Sequence, residues 1–299
     1  MATYNGAVYL EEQLVSLRTQ SYPCIDIVVS DDGSHDGTAD ILRQWMERWD
    51  KGRFVTRHGP GKGFAQNFRS LIVDPAIDAD YFAFCDQDDI WEPDKLETAV
   101  SRLCAVPSGM PALFCSRTLT ITESGRAIGA SPLFARQPSF RNALVQSLAG
   151  GNTMVLNGAA LSLMKTASIR SGFVSHDWWA YLLVSGAGGQ VFYCRRPLVR
   201  YRQHGSNQVG ANTSLGARLG RLGRLIGGQF WRWSEENLAG LEANAEILTP
   251  EAMQALVRFR EARQAALPGR LLQLARSGVY RQTLSGNVGL YVAAVMRRV

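Results

Sequence analysis

The chain has 299 residues, 46% of them hydrophobic and 19% charged, which is enough for one large domain with an appendage and too apolar for a disordered segment. Its formal charge of +6 comes from 32 Lys and Arg against 26 Asp and Glu. Residues 213–299 hold 12 Arg, no Lys and 6 acidic residues, so the first 212 carry 20 groups of each sign, and a basic nucleic-acid groove is not expected there.

The five cysteines, Cys24, Cys85, Cys104, Cys115 and Cys194, contain no CxxC pair and read as reduced core thiols. The start, Met-Ala-Thr-Tyr-Asn-Gly, lacks the basic and apolar stretches of a signal peptide, and the longest apolar tract, 288–296, is about half a membrane span. A cytoplasmic protein is expected, able to rest peripherally at the inner face of the cell membrane.

In chain order, short β-branched runs alternate with helical segments, the pattern of an α/β domain with a largely parallel sheet. Residues 25–30 (IDIVVS) read as a buried strand, followed by the turn-rich DDGSHDG and a helix over 38–49. Residues 81–85 (YFAFC) form a second buried strand that ends in Asp86-Gln87-Asp88-Asp89. Further strands are expected at 112–117 and 191–195, and helices at 92–105, 158–170 and 176–186. Ligands of open α/β sheets collect beyond the carboxyl ends of the strands, and both acidic clusters fall at that edge. After about residue 210 the texture becomes helical. There Leu215, Leu219, Leu222, Leu225 and Ile226 form one face, Arg218, Arg221 and Arg224 drift around the other, and Phe230, Trp231 and Trp233 follow.

Asp86, Asp88 and Asp89 repel one another unless solvated or neutralised. A divalent cation shared with a diphosphate resolves the conflict, since Mg²⁺ and Mn²⁺ accept a few carboxylate oxygens and leave other positions to phosphate and water. The alternative is that Asp86 and Asp89 cap the helix starting near Pro93. Asp31-Asp32-Gly33-Ser34 repeats the theme: a carboxylate for a base N–H or a ribose hydroxyl, or an Asx-turn leading into a helix. The loop Gly59-Pro60-Gly61-Lys62-Gly63 lacks a P-loop ending, and its Lys62 either reaches a diphosphate or stays solvated.

The blocks ATYNG (2–6), YLEEQLVSLRTQSYP, IDIVVSDDGSHDGT and YFAFCDQDDIWEPDKLE occur in an order and spacing that resembles the family 2 glycosyltransferases of GT-A fold. Gly151-Asn152-Thr153-Met154, His176-Asp177-Trp178-Trp179 and Tyr201-Arg202-Gln203-His204-Gly205-Ser206-Asn207 resemble the branch containing bacterial rhamnosyltransferases.

The resemblance implies a Rossmann-like, mostly parallel central sheet over 1–212, flanked by helices, with a helical, basic C-terminal extension over 213–299. Ala2, Thr3, Tyr4, Asp31, Asp32, Lys62, Asp86 and Gln87 would bind the nucleotide sugar, and Asp88, Asp86 and His204 would hold Mg²⁺ or Mn²⁺. Asp177 would be the catalytic base. Asn152, Trp178 and Trp179 would meet the acceptor, the indoles stacking on sugar faces. The neutral alternatives are a helix N-terminal acid for Asp177 and a loop histidine bonded to backbone for His204. The implied reaction is inverting, metal-dependent transfer of L-rhamnose from dTDP-rhamnose to a saccharide or lipid-linked acceptor in bacterial surface polysaccharide biosynthesis. Open alternatives are another donor (UDP-Gal, UDP-Glc, UDP-GlcNAc) and a non-catalytic nucleotide-sugar-binding relative.

The C-terminal helices are expected either to rest on an anionic membrane surface or to pack on the catalytic domain or a second subunit with their arginines in solvent. Relatives also enter the ATYNG block through an apolar strand that is nearly absent here, which implies a natural start upstream of Met1.

Overall fold

The computed structural model describes residues 1–205 and 228–299. A three-stranded parallel sheet opens the fold, with β1 (Ala2–Thr3), β2 (Ile27–Asp31) and β3 (Phe54–His58) in that spatial order. Its register pairs Thr3 with Asp31 and Asp31 with His58, so all three strands end at one edge and their following loops emerge together. Helices α1 (Leu10–Arg18), α2 (Thr38–Arg48) and α3 (Phe64–Ile72) make the returns. In α1, Glu11 and Glu12 at the first turn and Arg18 at the last complement the helix dipole.

A second, mixed sheet carries β4 (Tyr81–Ala83), β5 (Ile90–Trp91), β6 (Ala112–Ile121), β7 (Ala127–Ala130), β8 (Val155–Asn157) and β9 (Gln190–Arg202). Its order is β4-β8-β6-β9-β5, with β7 on β6; β6 and β9 run parallel and the other pairs antiparallel. Where the sheets meet, the Ala2 amide donates to the Cys85 carbonyl at 3.2 Å. The acidic turn after β4 therefore opens beside the loop after β1.

Helix α4 (Lys95–Leu103) follows β5. Between β7 and β9 run α5 (Phe140–Ala143), α6 (Gly158–Arg170), capped by Asn157, and α7 (His176–Gly186). The expected helices at 158–170 and 176–186 form at those bounds. Strand β9, expected only over 191–195, runs on to Arg202 and pairs Arg200 with Ile90, which returns the chain to the acidic edge.

Beyond residue 227 come α8 (Gln229–Glu242), α9 (Pro250–Gln264), α10 (Gly269–Ser277) and α11 (Leu284–Val295). Helix α9 starts with Thr249 accepting from the Ala252 amide and with Pro250 in its first turn. These helices share one core with the sheet domain: Leu238, Leu241, Leu256, Phe259 and Leu290 join the cluster that holds Trp179, Tyr181 and Leu183. The Leu215–Arg224 face, and Ser206 and Asn207, lie outside the described residues. Among those residues, no helix is long and apolar enough to cross a membrane.

Two expectations are corrected by burial. Cys24 and Cys104 are exposed, so only Cys85 and Cys115 are buried thiols, with Cys194 intermediate. Trp178 and Trp179 belong to the core and have no face for a sugar. Trp178 Nε1 donates to the Ala143 carbonyl and its ring stacks on Phe230, while Trp179 Nε1 donates to Ser168 Oγ and its ring stacks on Phe173. The segment 178–184 is buried throughout, because α7 lies between the sheet and the C-terminal helices. A helix apolar all round is a core helix.

Trp179→Ala is therefore expected to lower unfolding free energy in urea by about 3–5 kcal/mol, as for a large aromatic removed from a packed core. Trp233→Ala, at a partly exposed site, should change it by about 0.5 kcal/mol or less. Equal effects would contradict this packing.

Candidate functional site

The site lies where the loops after β1, β2 and β4 converge with the end of β9 and the start of α7. The ATYNG loop is fixed by others rather than by itself. Asn5, at φ +47°, accepts from the His35 amide and donates its own amide to Ser34 Oγ. Gly6 N–H donates to Thr38 Oγ1, and Ala7 N–H to Asp36. The Gln87 amide closes the other side, accepting from Tyr4 N–H at 2.8 Å and donating to the Tyr4 carbonyl at 3.0 Å. A Cβ at Gly6 would lie 2.4 Å from Gln87 Oε1, so a side chain at position 6 would displace the Gln87 amide. Gln87 thus joins the first and third loops through the Tyr4 backbone, while Tyr4 itself is exposed and Ala2 lies half-buried within the sheet.

Asp31 and Asp32 differ in what they hold. Asp31 accepts from Thr3 Oγ1 and from both the amide and hydroxyl of Ser34, the Asx-turn anticipated for this sequence. Asp32 grips the glycine loop instead: its two carboxylate oxygens accept from the Gly61 and Gly63 amides at 2.7 and 2.8 Å. Both glycines take positive φ, the geometry that turns successive amides toward an anion. Lys62 sits exposed between them.

The acidic turn is the most strongly perturbed part of the site. Burial first, then the charges of Asp88 and Asp177, pushes the Asp86 carboxyl up to about 7. Asp89 is raised well above the usual carboxylate range by burial and by Asp86 and Asp88. Neither caps the following helix, whose first flanking residue is Asp94. Asp89 accepts from Asn152 Nδ2 and from the Arg202 amide. Asn152, expected at the acceptor, is buried, and its carbonyl accepts from Lys95 Nζ at 2.8 Å. Lys95 is itself buried beneath the Trp91 ring, and desolvation pulls its ammonium well below the ordinary value. Asn152 therefore braces the acidic turn from below.

Two residues at and just beyond the end of β9 complete the turn. His204 Nε2 lies 2.8 Å from Asp88 Oδ2, across 116 positions of chain, and its ring packs 5.0 Å from that of Tyr9. Arg202, which sequence reasoning left without a role, is 2% exposed at its side chain. Its guanidinium donates to the backbone carbonyls of Asp88 and Glu123, pairs with Glu12 and lies over Tyr9. The spacing carried a signal: residues 202 and 204 share a face of extended chain.

Asp88 and His204 fit a divalent cation, being oxygen and imidazole donors already in contact. The unfavourable charge on Asp86 is what a cation would relieve. Among the described residues, no three His, Cys, Asp or Glu side chains form a ready cation site. The donor set suits Mg²⁺ or Mn²⁺ only with phosphate and water supplying the rest.

Asp177 is in the first turn of α7, half-buried, with Oδ2 3.5 Å from Ser147 Oγ. Its neighbour His176 is buried against Phe68 and Phe84, at ring-centroid distances of 3.9 and 4.5 Å, and neither ring nitrogen has a partner among the described residues. A Cβ on Gly151 would lie 2.0 Å from His176 Nε2, which explains the glycine before Asn152.

The family model for glycosyl transferase family 2 matches residues 1–155. The dTDP-rhamnosyl transferase RfbG of Shigella flexneri is 31% identical over 254 residues, covering 82% of this chain and 85% of that protein. A putative teichuronic acid biosynthesis glycosyltransferase of Bacillus subtilis, TuaG, is 38% identical over 95 residues, 32% of this chain and 36% of that one. Among solved structures, S. aureus TarS 1-349 in complex with UDP-GlcNAc aligns with a TM-score of 0.55 at 14% identity, covering 92% of this chain and 77% of that one. The mannosyltransferase PcManGT from Pyrobaculum calidifontis, in complex with GDP-Man and Mn²⁺, aligns at 0.51 and 18% identity, covering 99% and 85%. The fold is GT-A, as the sequence motifs implied.

Burial holds the His176 imidazole at about 4 against an ordinary 6.5. Between those values the unfolded chain binds a proton that the folded chain refuses, so this contribution is complete above pH 6.5 and is lost as pH falls toward 4. It amounts to about 3 kcal/mol. Urea midpoints measured from pH 7 to pH 4 should fall less steeply for His176→Leu than for the parent, and parallel curves would refute the buried neutral imidazole.

Proposed function

The chain belongs to glycosyl transferase family 2, and from that premise we propose that it transfers L-rhamnose from dTDP-rhamnose to a saccharide acceptor, with inversion and with Mg²⁺ or Mn²⁺. The observation that carries the reading is the contact between Asp88 and His204. It joins the acidic turn to the end of β9 at the edge where the loops after β1 and β2 also open, as donor binding requires. Identity to RfbG over most of both chains supports the choice of sugar.

In this reading the base and ribose lie along the Ala2-Thr3-Tyr4 segment and the loop after β2. Asp31 and Gln87 keep that wall in place by holding Thr3 and Tyr4. Asp32 orders the glycine loop so that Lys62 is presented toward the diphosphate. Asp88 and His204 would hold the cation, which supplies positive charge to the leaving diphosphate. Asp86, with its raised affinity for a proton, suits a hydrogen bond to a ribose hydroxyl in either protonation state.

Asp177 takes the proton of the acceptor hydroxyl as that oxygen attacks the anomeric carbon from the side opposite the diphosphate. The displacement is in line and inverts the centre. Ser147 steadies its carboxylate. Because Trp178 and Trp179 are in the core, acceptor recognition falls to other groups at the rim. The saccharide product belongs in surface polysaccharide assembly.

With purified enzyme, a panel of nucleotide sugars and Mn²⁺, dTDP-rhamnose is expected to be the donor turned over. Asp177→Asn should lower transfer about 10²- to 10⁴-fold while donor still raises the melting temperature. His204→Ala and Asp88→Ala should each weaken the Mn²⁺-dependent part of that thermal shift. Turnover of a different nucleotide sugar would overturn the donor assignment, and full activity of Asp177→Asn would overturn the base.

A further inference from the structure

The positive excess of the chain is concentrated in its last 38 residues. Residues 262–299 contain Arg263, Arg270, Arg276, Arg281, Arg297 and Arg298, with no Lys and no acidic residue, so the preceding 261 residues are neutral. Three of these arginines have structural duties. Arg263 pairs with Glu235, Arg270 donates to the carbonyls of Ala265 and Ala294, and Arg281 donates to that of Val145. Arg276, Arg297 and Arg298 are exposed, and no ion pair among the described residues uses them.

The same segment exposes apolar surface. Helix α11 is apolar on both sides. Leu290, Ala293 and Ala294 face the core, while Leu284, Val288, Tyr291, Val292 and Val295 are exposed at helical spacing, Leu284 by 83% and Val288 by 58%. Leu271 of α10 and the outer residues of α11 line a shallow apolar groove. Met296, Arg297 and Arg298 follow α11 directly, all exposed. A helix apolar all round is normally covered, and a contiguous exposed stripe of this kind marks a contact surface.

We propose that α10 and α11 dock on an anionic lipid bilayer, with α11 lying flat among the headgroups and its outer side chains entering the acyl boundary. Charge selects this partner. A symmetric contact with a second copy would bring Arg297 and Arg298 toward the same segment, which has no acidic side chain to neutralise them. A nucleic acid would neutralise them but would meet mainly aliphatic side chains, which offer bases little stacking. Phosphate headgroups above an apolar layer satisfy both halves of the surface. At 12 residues, or about 18 Å, α11 is too short to cross a hydrocarbon core of about 30 Å, so it rests in the interface. The surface lies outside the nucleotide site and does not depend on the transfer reaction.

The test is co-sedimentation of the full chain with phosphatidylglycerol or phosphatidylcholine vesicles, alongside sedimentation velocity without lipid. Binding is expected to phosphatidylglycerol, to weaken at high salt and to be slight with phosphatidylcholine. The double variant Val288→Asp, Val292→Asp should lose binding. Arg297→Glu with Arg298→Glu, placed beyond the helix end where folding is undisturbed, should weaken it about tenfold or more. Val257→Asp, on exposed α9 surface, should bind as the parent does. The proposal is overturned if the parent stays in solution with phosphatidylglycerol, or if the Val288 and Val292 variant binds unchanged. It is equally overturned if those substitutions only convert a lipid-indifferent dimer into monomers. Transfer to a soluble acceptor should be unchanged in the double variant, which separates this surface from the donor site.

Discussion

Three carboxylates at the end of a buried strand must be kept apart in role though not in space, and much of the site follows from how the fold manages them. Asp89 is the most deeply buried: burial and its acidic neighbours favour the protonated form, against the hydrogen bonds it accepts from Asn152 and the Arg202 amide, with Lys95 below. Asp88 meets His204 and is left at the open side. Asp86, between burial and two negative neighbours, holds its proton more tightly than an ordinary acid. A corner with this much unresolved negative charge is stable alone only by protonation, which is why the arrangement is suited to a cation and a diphosphate arriving together.

The same turn also organises the loops around it. Gln87, placed between two of these acids, clasps the Tyr4 backbone, and Asn5 and Gly6 are in turn tied to the loop after β2. Asp32 continues the chain of contacts to the glycine loop. Backbone amides and carbonyls bind most of this rim, so its shape is set by main chain, and the exposed side chains of Tyr4 and Lys62 remain available to a ligand.

The C-terminal helices have two distinct faces. Toward the protein they complete the core around Trp179 and anchor it through buried arginines that bond backbone carbonyls, Arg270 among them. Outward they leave aliphatic side chains exposed together with Arg297 and Arg298, which make no ion pair among the described residues. The basic excess, first visible as a property of the last third of the sequence, narrows to 262–299 and to helices that complete the core of the sheet domain on one side and expose a surface on the other.

Much of the fold was legible because local chemistry wrote it: β-branched IDIVVS between turn residues, helices over 158–170 and 176–186, acids at strand ends. The position of His204 beside Asp88 was also legible, through motif resemblance. What periodicity could not give was the length of β9, since Arg195, Arg196, Arg200 and Arg202 interrupt the apolar pattern of a strand whose pairing with β6 and β5 is decided by distant partners. Nor could it distinguish a tryptophan that faces a sugar from one that faces a core. Trp178 and Trp179 follow Asp177 in sequence, yet successive helical positions point about 100° apart, and the C-terminal helices cover their side. By itself the sequence determined the elements, the motifs and the sign and place of the charge, because these depend on residues near one another. Which carboxylate is buried, which is braced by Asn152 and Arg202, and which faces outward was decided only by tertiary structure, because a carboxylate's protonation and partners depend on what the fold packs against it from elsewhere in the chain.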